Sequence, residues 1–196
     1  MSGFNSWYTN KIERLGVPSI KMSDGPNGVR GDSTSGKSSA CFPCAISIGS
    51  TWDMNLINQL GVALGEEAKV KDVDVLLGPT INIHRHPLGG RHFESFSEDP
   101  FLTGKIATEY VKGVQSQNVA ACLKHFIGND TEYERHLVSS NIDEKTLREI
   151  YLLPFEMGVK EGNAQVVMSA YNKLNNIYCS SHKELLIDIL KDEWGF

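Results

Sequence analysis

The chain has 196 residues, of which 40% are hydrophobic, and it carries a formal net charge of −5. This apolar content is enough for one globular core. The acidic balance argues against nucleic acid as a partner, because nucleic acid selects a basic face. No apolar run approaches the roughly 18 residues that a membrane span needs, and the N-terminus lacks the pattern typical of a signal peptide. These features predict a soluble cytoplasmic protein that binds neither nucleic acid nor membrane.

The four cysteines are predicted to be ordinary thiols. Cys41 and Cys44 have the spacing of a redox or zinc motif, but a zinc site needs a second pair of ligands, and none follows. Cys122 and Cys179 lie in or beside apolar segments, which is typical of small core residues. The sequence therefore predicts no metal and no other cofactor.

Short apolar segments alternate with segments of helical periodicity along the chain. The strand-like segments are residues 19–23, 73–77, 119–123 and 165–169, each of which is short and apolar. A long loop inside the domain is predicted for residues 31–39, where Gly and Ser are frequent.

Each strand-like segment is followed by a helix with a recognisable start. Aspartates at three of these starts are predicted N-caps, because a carboxylate accepts hydrogen bonds from the first free amides of a helix: Asp53, Asp99 and Asp143. Pro154 is expected to kink the third helix or to end its first part. Ser181 and Glu184 have the spacing of a capping box before the fourth helix.

Four successive strand–helix units without a hairpin signal predict a parallel sheet covered by helices. The pattern by itself leaves open an open doubly wound sheet or a barrel. A complete barrel of eight units takes about 250 residues, so four units correspond to half of one.

Polar residues gather after each predicted strand, where parallel α/β folds place their chemistry. One face of the sheet is expected to collect six of them: Asp24, Arg91, Lys124, His125, Arg135 and Tyr171. A sugar ring needs such a wall, in which carboxylate acceptors and cationic or imidazole donors converge on neighbouring hydroxyls. The four clusters together therefore indicate a functional face.

Each residue taken alone also has a structural interpretation. Asp24 is equally suited to setting a turn before a Gly-Pro pair. Arg91 and Glu94 are compatible with a surface ion pair that contributes little, and His125 with a buried structural histidine. Lys124 is harder to explain in this way, because lysine is seldom buried without a partner.

Four strings in the sequence resemble the N-terminal barrel of glycoside hydrolase family 3, of the β-glucosidase type. In chain order they are S-D-G-P-N-G-V-R-G, G-P-T-I-N-I-H-R-H-P-L-G-G-R-H-F-E-S-F-S-E-D-P, K-H-F-I-G-N-D-x-E-x-x-R and M-S-A-Y-N. The third string departs from the K-H-F-P-G-H-G type of the N-acetylglucosaminidase branch, which favours a glucosidase. The resemblance covers nearly the whole chain and implies the first half of a (β/α)8 TIM-type barrel.

The resemblance also implies roles for individual residues in the −1 subsite of a retaining β-glucosidase. Asp24 would bind the far hydroxyls of the sugar. The hydroxyls around the middle of the ring would be held by Arg91, Lys124 and His125. The pocket near the reacting carbon would be shaped by Arg135, Met168 and Tyr171.

The reacting carboxylates of the family are not expected within residues 1–196. The resemblance implies a nucleophilic Asp in an S-D-W motif soon after the string E-W-G-F, at which this sequence ends with Phe196. It implies an acid/base Glu in a later α/β sandwich domain, and a start that lies after the family's first helix. The 196 residues alone are therefore expected to be inactive.

Two other functions stay open, namely a truncated or sugar-binding-only product without activity, and an unrelated α/β enzyme that binds phosphate through Gly89, Gly90 and Arg91. The second lacks the glycine spacing of known phosphate loops. A half barrel would also expose an unpaired strand edge, so we predict that the isolated chain is marginally stable, aggregates or pairs with another copy. The aglycone and the oligomeric state are not readable from the sequence.

Overall fold

A computed structural model of the chain describes residues 3–31 and 37–196. Its strands, in chain order, are β1 (Met22–Ser23), β2 (Val75–Leu76), β3 (Ala120–Phe126), β4 (Ser139–Ser140), β5 (Val166–Ser169), β6 (Lys173–Leu174) and β7 (Ile177–Tyr178). The four predicted strands are confirmed as β1, β2, β3 and β5. Of the predicted loop 31–39, residues 32–36 lie outside the described residues, and the other positions belong to neither helix nor strand.

The main sheet has the order β1-β2-β3-β5, and each of its pairings is parallel. Each strand thus pairs with the next parallel strand along the chain, and the order does not reverse. A doubly wound sheet reverses its order at a switch point, whereas a barrel continues in one direction. The topology therefore favours the barrel over the open sheet.

The third strand extends further than the sequence predicts. Lys124 and His125 lie inside β3 rather than after it, since Lys124 pairs in register with Met168 of β5. The backbone amide of Lys124 also donates to Pro79 O at 3.1 Å, and its carbonyl accepts from the Ile81 amide at 2.8 Å. Because Lys124 is paired on both sides, the strand extends beyond its apolar residues.

A β-hairpin is present for which the sequence analysis found no signal. β6 and β7 pair antiparallel around Asn175 and Asn176, and β4 adds to β6 in parallel. Both asparagines have positive φ, of 48° and 71°, as a two-residue type I′ turn requires. Asparagine tolerates this conformation better than most residues, so an Asn-Asn pair replaces the better-known Asn-Gly signal.

The helices follow the strands as expected. They are α1 (Ala45–Gly49), α2 (Met54–Val70), α3 (Pro100–Gln115), α4 (Glu144–Thr146) and α5 (Leu153–Lys160), with π-helical segments at Leu147–Leu152 and Glu184–Glu193 and 3-10 turns at Glu13–Leu15, His92–Glu94 and Cys179–Ser181. The predicted aspartate caps of α2, α3 and α4 are confirmed, because each carboxylate accepts from an amide three residues later, at 3.0, 2.6 and 3.1 Å.

The start of the last helical segment differs from the prediction. Ser181 does not cap it, because its hydroxyl donates backwards to Tyr178 O at 3.3 Å. The segment begins at Glu184 without a side-chain cap, and the capping-box prediction is therefore wrong. The interruption predicted at Pro154 agrees with the change from π to α geometry at Leu153.

The helices α2 and α3 pack closely against each other on the outside of the sheet. A Cβ on Gly61 would lie 2.6 Å from Tyr110 O, and one on Gly113 would lie 2.3 Å from Asn58 O. Both distances are shorter than any normal contact, so only glycine allows the helices this approach. The two helices cover a core whose largest fully buried side chains include Tyr110, Phe126, Phe155, Ile57, Leu64 and Leu123.

Candidate functional site

The candidate residues collect at the carboxyl end of the main sheet. Asp24 follows β1 directly, Lys124 and His125 lie at the end of β3, and Met168 faces Lys124 across the ladder in β5. The remaining three lie in loops that follow strands: Arg91, Arg135 and Tyr171. Parallel strands point their ends toward one edge, and this brings together side chains that are far apart in sequence.

Lys124 lies within β3 and is buried. Its side chain is 4% exposed, and its Nζ lies 3.6 Å from Asp24 Oδ1. This distance is too long for a direct hydrogen bond, but it allows a hydroxyl group to bridge the two charges. Both residues line a groove of about 550 Å³ together with Arg91 and Glu94. Pockets for small ligands have volumes of this order.

Arg91 is held by two carboxylates. Its Nε and Nη2 donate to the two oxygens of Glu94 at 2.9 and 2.8 Å, which makes the pair bidentate. Its Nη1 lies 3.7 Å from Glu132 Oε1. Burial favours a higher pKa for Glu94, but the hydrogen bonds and charge of Arg91 outweigh it and lower that pKa. The pair is half-buried rather than a surface ion pair.

His125 is a neutral ring among cations. Burial, reinforced by Arg91, Lys124 and Arg135, lowers its pKa to about 3. Its Nε2 lies 3.4 Å from Arg91 Nη1, and its Nδ1 lies 3.3 Å from Asn82 Oδ1. A guanidinium only donates, so Nε2 is the acceptor and Nδ1 carries the proton.

Asn82 holds His125 in this orientation. Its Oδ1 accepts from the His125 backbone amide at 2.9 Å, and its Nδ2 donates to the His125 carbonyl at 2.9 Å. The amide orientation follows from these two bonds, since the backbone amide only donates and the carbonyl only accepts. Asn82 is not among the residues predicted from the sequence. The available signal was a polar residue inside the apolar string I-N-I, which predicts a buried side chain with backbone partners.

A second cluster lies around Arg135. Its Nη1 donates to Glu132 Oε2 at 2.7 Å, and its guanidinium lies 4.9 Å from the centre of the Tyr171 ring. Asn129 Nδ2 donates to the other Glu132 oxygen at 3.1 Å. Glu132 thus connects Arg135 to Arg91. The glycosylation-type string N-D-T begins at Asn129, whose side chain is buried and engaged in this bond.

Asp130 is the most deeply buried carboxylate near the site. Its residue is 9% exposed, and burial raises its pKa to about 6 against the opposing effects of Arg85 and the Ile83 amide. It lines a small cavity with Asn129, Gly89 and other residues, and not the groove that contains Asp24. The same cavity is lined by Arg91 and His125.

The Gly89–Gly90 turn is already occupied by protein groups. The Gly89 amide donates to His86 O at 2.9 Å, and its carbonyl accepts from the Glu132 amide at 3.0 Å. A Cβ on Gly90 would lie 3.1 Å from the Glu132 side chain. A phosphate would meet a carboxylate here instead of free amides.

Two of the four cysteines are the core residues that the sequence predicts, namely Cys122 and Cys179. Cys122 and Cys179 are buried, Cys41 and Cys44 are exposed, and all four are free thiols. Burial raises the pKa of the Cys122 thiol to about 12. Within residues 3–31 and 37–196, no three His, Cys, Asp or Glu side chains cluster as a metal site. None of the helices described there combines the length and the apolar character needed to cross a membrane.

Known proteins similar to this chain are β-glucosidases. A β-glucosidase of Rhizobium radiobacter is 57% identical over all of this chain and 24% of its own length. The thermostable β-glucosidase B of Acetivibrio thermocellus is 49% identical over 98% of this chain and 27% of its own length. The chain therefore spans about a quarter of these relatives.

Solved structures give the same result for the fold. β-Glucosidase 3B of Thermotoga neapolitana, in complex with α-D-glucose, superposes with a TM-score of 0.92 at 47% identity, over 96% of this chain and 27% of that one. The glucose complex of the Kluyveromyces marxianus β-glucosidase gives 0.95 at 48% identity, over 98% of this chain and 24% of that one. The sheet is thus the partial (β/α) barrel that the sequence predicts. Residues 4–196 match the family described as glycosyl hydrolase family 3 N terminal domain, and the chain belongs to that family.

Proposed function

We propose that the protein containing this chain hydrolyses terminal, non-reducing β-D-glucosyl residues with retention of configuration. The observation that carries the proposal is the meeting of Asp24, Arg91 and Lys124 at one groove at the carboxyl end of the sheet, with His125 in contact with Arg91 behind it. Two solved relatives hold glucose, which supports a sugar as the ligand.

The proposed roles follow from the donors and acceptors at the groove. Asp24 accepts from hydroxyl groups on the far side of the ring, and Lys124 donates to a hydroxyl that bridges the 3.6 Å between the two charges. His125 Nε2 is an acceptor, so a sugar hydroxyl can donate a hydrogen bond to it in place of Arg91, and Arg91 then donates to the oxygen of the same hydroxyl. Such charge-assisted bonds orient each hydroxyl.

Three further residues complete the pocket in this proposal. Arg135 and Tyr171 are stacked, and Met168 lies opposite Lys124 in the ladder. The proposal places them near the reacting carbon, where a rigid wall keeps the anomeric centre in position.

The chemistry of a retaining glycosidase needs two carboxyl groups about 5–5.5 Å apart, one as nucleophile and one as acid/base. The two carboxylates that line this groove are each paired with a cation, Glu94 with Arg91 and Asp24 with Lys124, and the nearby Glu132 is paired with Arg135. We therefore assign them to binding and positioning. The proposal places both reacting carboxylates after Phe196 and predicts no hydrolysis by residues 1–196 alone.

The test compares Asp24→Asn with Asp72→Asn in the intact protein. Asp72 is an exposed residue with positive φ, a conformation that asparagine tolerates. Loss of a charge-assisted acceptor should lower kcat/KM on a chromogenic aryl β-glucoside by roughly 100-fold for Asp24→Asn, while Asp72→Asn stays unchanged. Proton NMR of the first product should show the β-anomer. An α-anomer, or equal rates for both variants, would refute the proposal.

A sugar-binding-only function is the second candidate. The observation that favours it is the pairing of every groove carboxylate with a cation. It predicts that the intact protein binds glucose by calorimetry and loses this binding in Asp24→Asn, but releases no product from aryl glycosides at any pH.

A further inference from the structure

One wall of the groove is made by two chain segments without helix or strand. The first includes residues 27–30 and the second residues 39–41, and both line the groove together with Asp24. Irregular segments hold their position only when their backbone groups have partners. Two side chains at the C-terminal end of α2 supply several of these partners.

Glu67 of α2 accepts from both segments. Its Oε2 accepts from the Val29 amide at 2.8 Å, and its Oε1 accepts from the Ala40 amide at 2.7 Å. A single carboxylate thus holds the two sides of the wall at a fixed separation. Burial favours a higher pKa for Glu67, but hydrogen bonds from Lys71, Ala40 and Val29 outweigh it and lower that pKa, so the carboxylate stays charged.

Lys71, one helical turn later, completes the arrangement. Its side chain is 3% exposed, and its Nζ donates to Glu67 Oε1 at 2.9 Å, to Ser39 Oγ at 2.7 Å and to Val29 O. An ammonium group has three donors, and all three are used. The same two segments therefore receive bonds from both members of a buried ion pair.

The arrangement connects to Asp24 through the backbone. The Arg30 amide, next to Val29, donates to Asp24 O at 3.0 Å, and the Gly31 amide donates to Ser23 Oγ at 2.9 Å. Across the wall, the Phe42 amide donates to Asn27 O at 2.8 Å. A displacement of Val29 would therefore shift both Asp24 and the wall.

We propose that Glu67 and Lys71 form a positioning pair that fixes Asp24 and the groove wall for ligand binding. The pair does not line the groove itself. The part of this inference that concerns ligand binding rests on the proposed function, whereas the part that concerns the wall does not.

The test uses Glu67→Gln in the intact protein, with Glu67→Ala as a stronger variant. The matched control is Glu109→Gln on α3, which also carries a helical Glu–Lys pair, at 2.9 Å, and does not line the groove. The first measurement is hydrogen exchange of the Val29, Ala40 and Phe42 amides. Exchange should be about tenfold faster at all three in Glu67→Gln and unchanged in the control. Phe42 reports on the wall, because its amide has no bond to Glu67.

The second measurement is glucose affinity together with kinetics on the aryl glucoside. We expect Kd and KM to rise about tenfold, with kcat changed by less than about threefold, because ground-state and transition-state binding weaken together. Faster exchange at Val29 and Ala40 alone, with unchanged Kd and KM, would overturn the positioning role. Unchanged exchange at all three amides would show that Glu67 and Lys71 do not hold the groove wall in place. If the unsubstituted protein neither binds nor hydrolyses glucosides, the proposed function fails, and the exchange at Phe42 still decides whether the pair fixes the wall.

Discussion

Replacement of Asp130 by Asn should make the protein more stable, and the gain should depend on pH. Asp130 is buried, and burial raises its pKa to about 6 from an ordinary value of 3.8. A carboxyl group with a raised pKa binds its proton more tightly in the folded state than in the unfolded state. Its contribution to stability is therefore complete below about pH 4 and is lost as the pH rises through about 6.

The size of the effect follows from the shift. About two pH units correspond to about 3 kcal/mol of free energy between the two protonation states. Asparagine has the shape of the acid and no charge, so Asp130→Asn avoids this loss. At pH 4 a carboxyl of ordinary pKa is already half-ionised in the unfolded state, so about 0.5 kcal/mol of this amount is lost there. The free energy of unfolding of the variant relative to the unsubstituted protein should therefore rise by about 2.5 kcal/mol between pH 4 and pH 7.

Urea unfolding of the intact protein, followed by tryptophan fluorescence at several pH values, measures this difference. The control is Asp72→Asn, which removes an exposed carboxylate and shows how the loss of one surface charge acts in the same assay. If the difference between Asp130→Asn and the unsubstituted protein is the same at pH 4 and pH 7, Asp130 is not a buried acid of raised pKa, and the reasoning is refuted.

Three further predictions concern the site and the helices. Glu94→Gln should weaken glucose binding about tenfold, because it replaces the bidentate carboxylate of Arg91; an unchanged Kd in calorimetry would contradict this. Gly61→Ala should lower the free energy of unfolding by about 1–3 kcal/mol, because its Cβ would lie 2.6 Å from Tyr110 O. Urea unfolding measures this change, and a stability equal to that of the unsubstituted protein would contradict the prediction. Asp99→Ala should cost about 1 kcal/mol through the lost cap at Leu102; in the same assay, Asp99→Asn should keep most of the stability, and an equal loss in both would exclude capping as the cause.

The parts of the fold that were predictable depend on local sequence. The strand segments can be predicted because short apolar runs alternate with segments of helical periodicity. The caps at Asp53, Asp99 and Asp143 can be predicted because a helix cap depends on only four consecutive residues. The edge of the sheet that carries the site follows from the parallel direction of the strands. None of these features depends on contacts between residues that are distant in the sequence.

The parts that were not predictable depend on contacts between distant residues. Asn82 and His125 are 43 positions apart, and Glu67 and Val29 are 38 apart. No local pattern shows that one orients the other. The extension of β3 through Lys124 is of the same kind, because it depends on partners in β5 and beside Pro79.

The charges around the groove indicate which class of ligand it suits. Three cations of the candidate site, Arg91, Lys124 and Arg135, are each paired with a carboxylate, namely Glu94, Asp24 and Glu132. Arg30 also lines the groove and adds a further positive charge. His125 adds no charge, because burial and its cationic neighbours keep its pKa at about 3.

An anionic ligand such as phosphate would compete with these carboxylates for the same donors, and it would lose the electrostatic attraction that makes arginine clusters bind phosphate. A neutral ligand with many hydroxyl groups can bridge existing pairs instead, as the 3.6 Å between Lys124 and Asp24 allows. The pairing of Arg91, Lys124 and Arg135 with carboxylates thus favours a sugar over a phosphate on grounds independent of the family relationship.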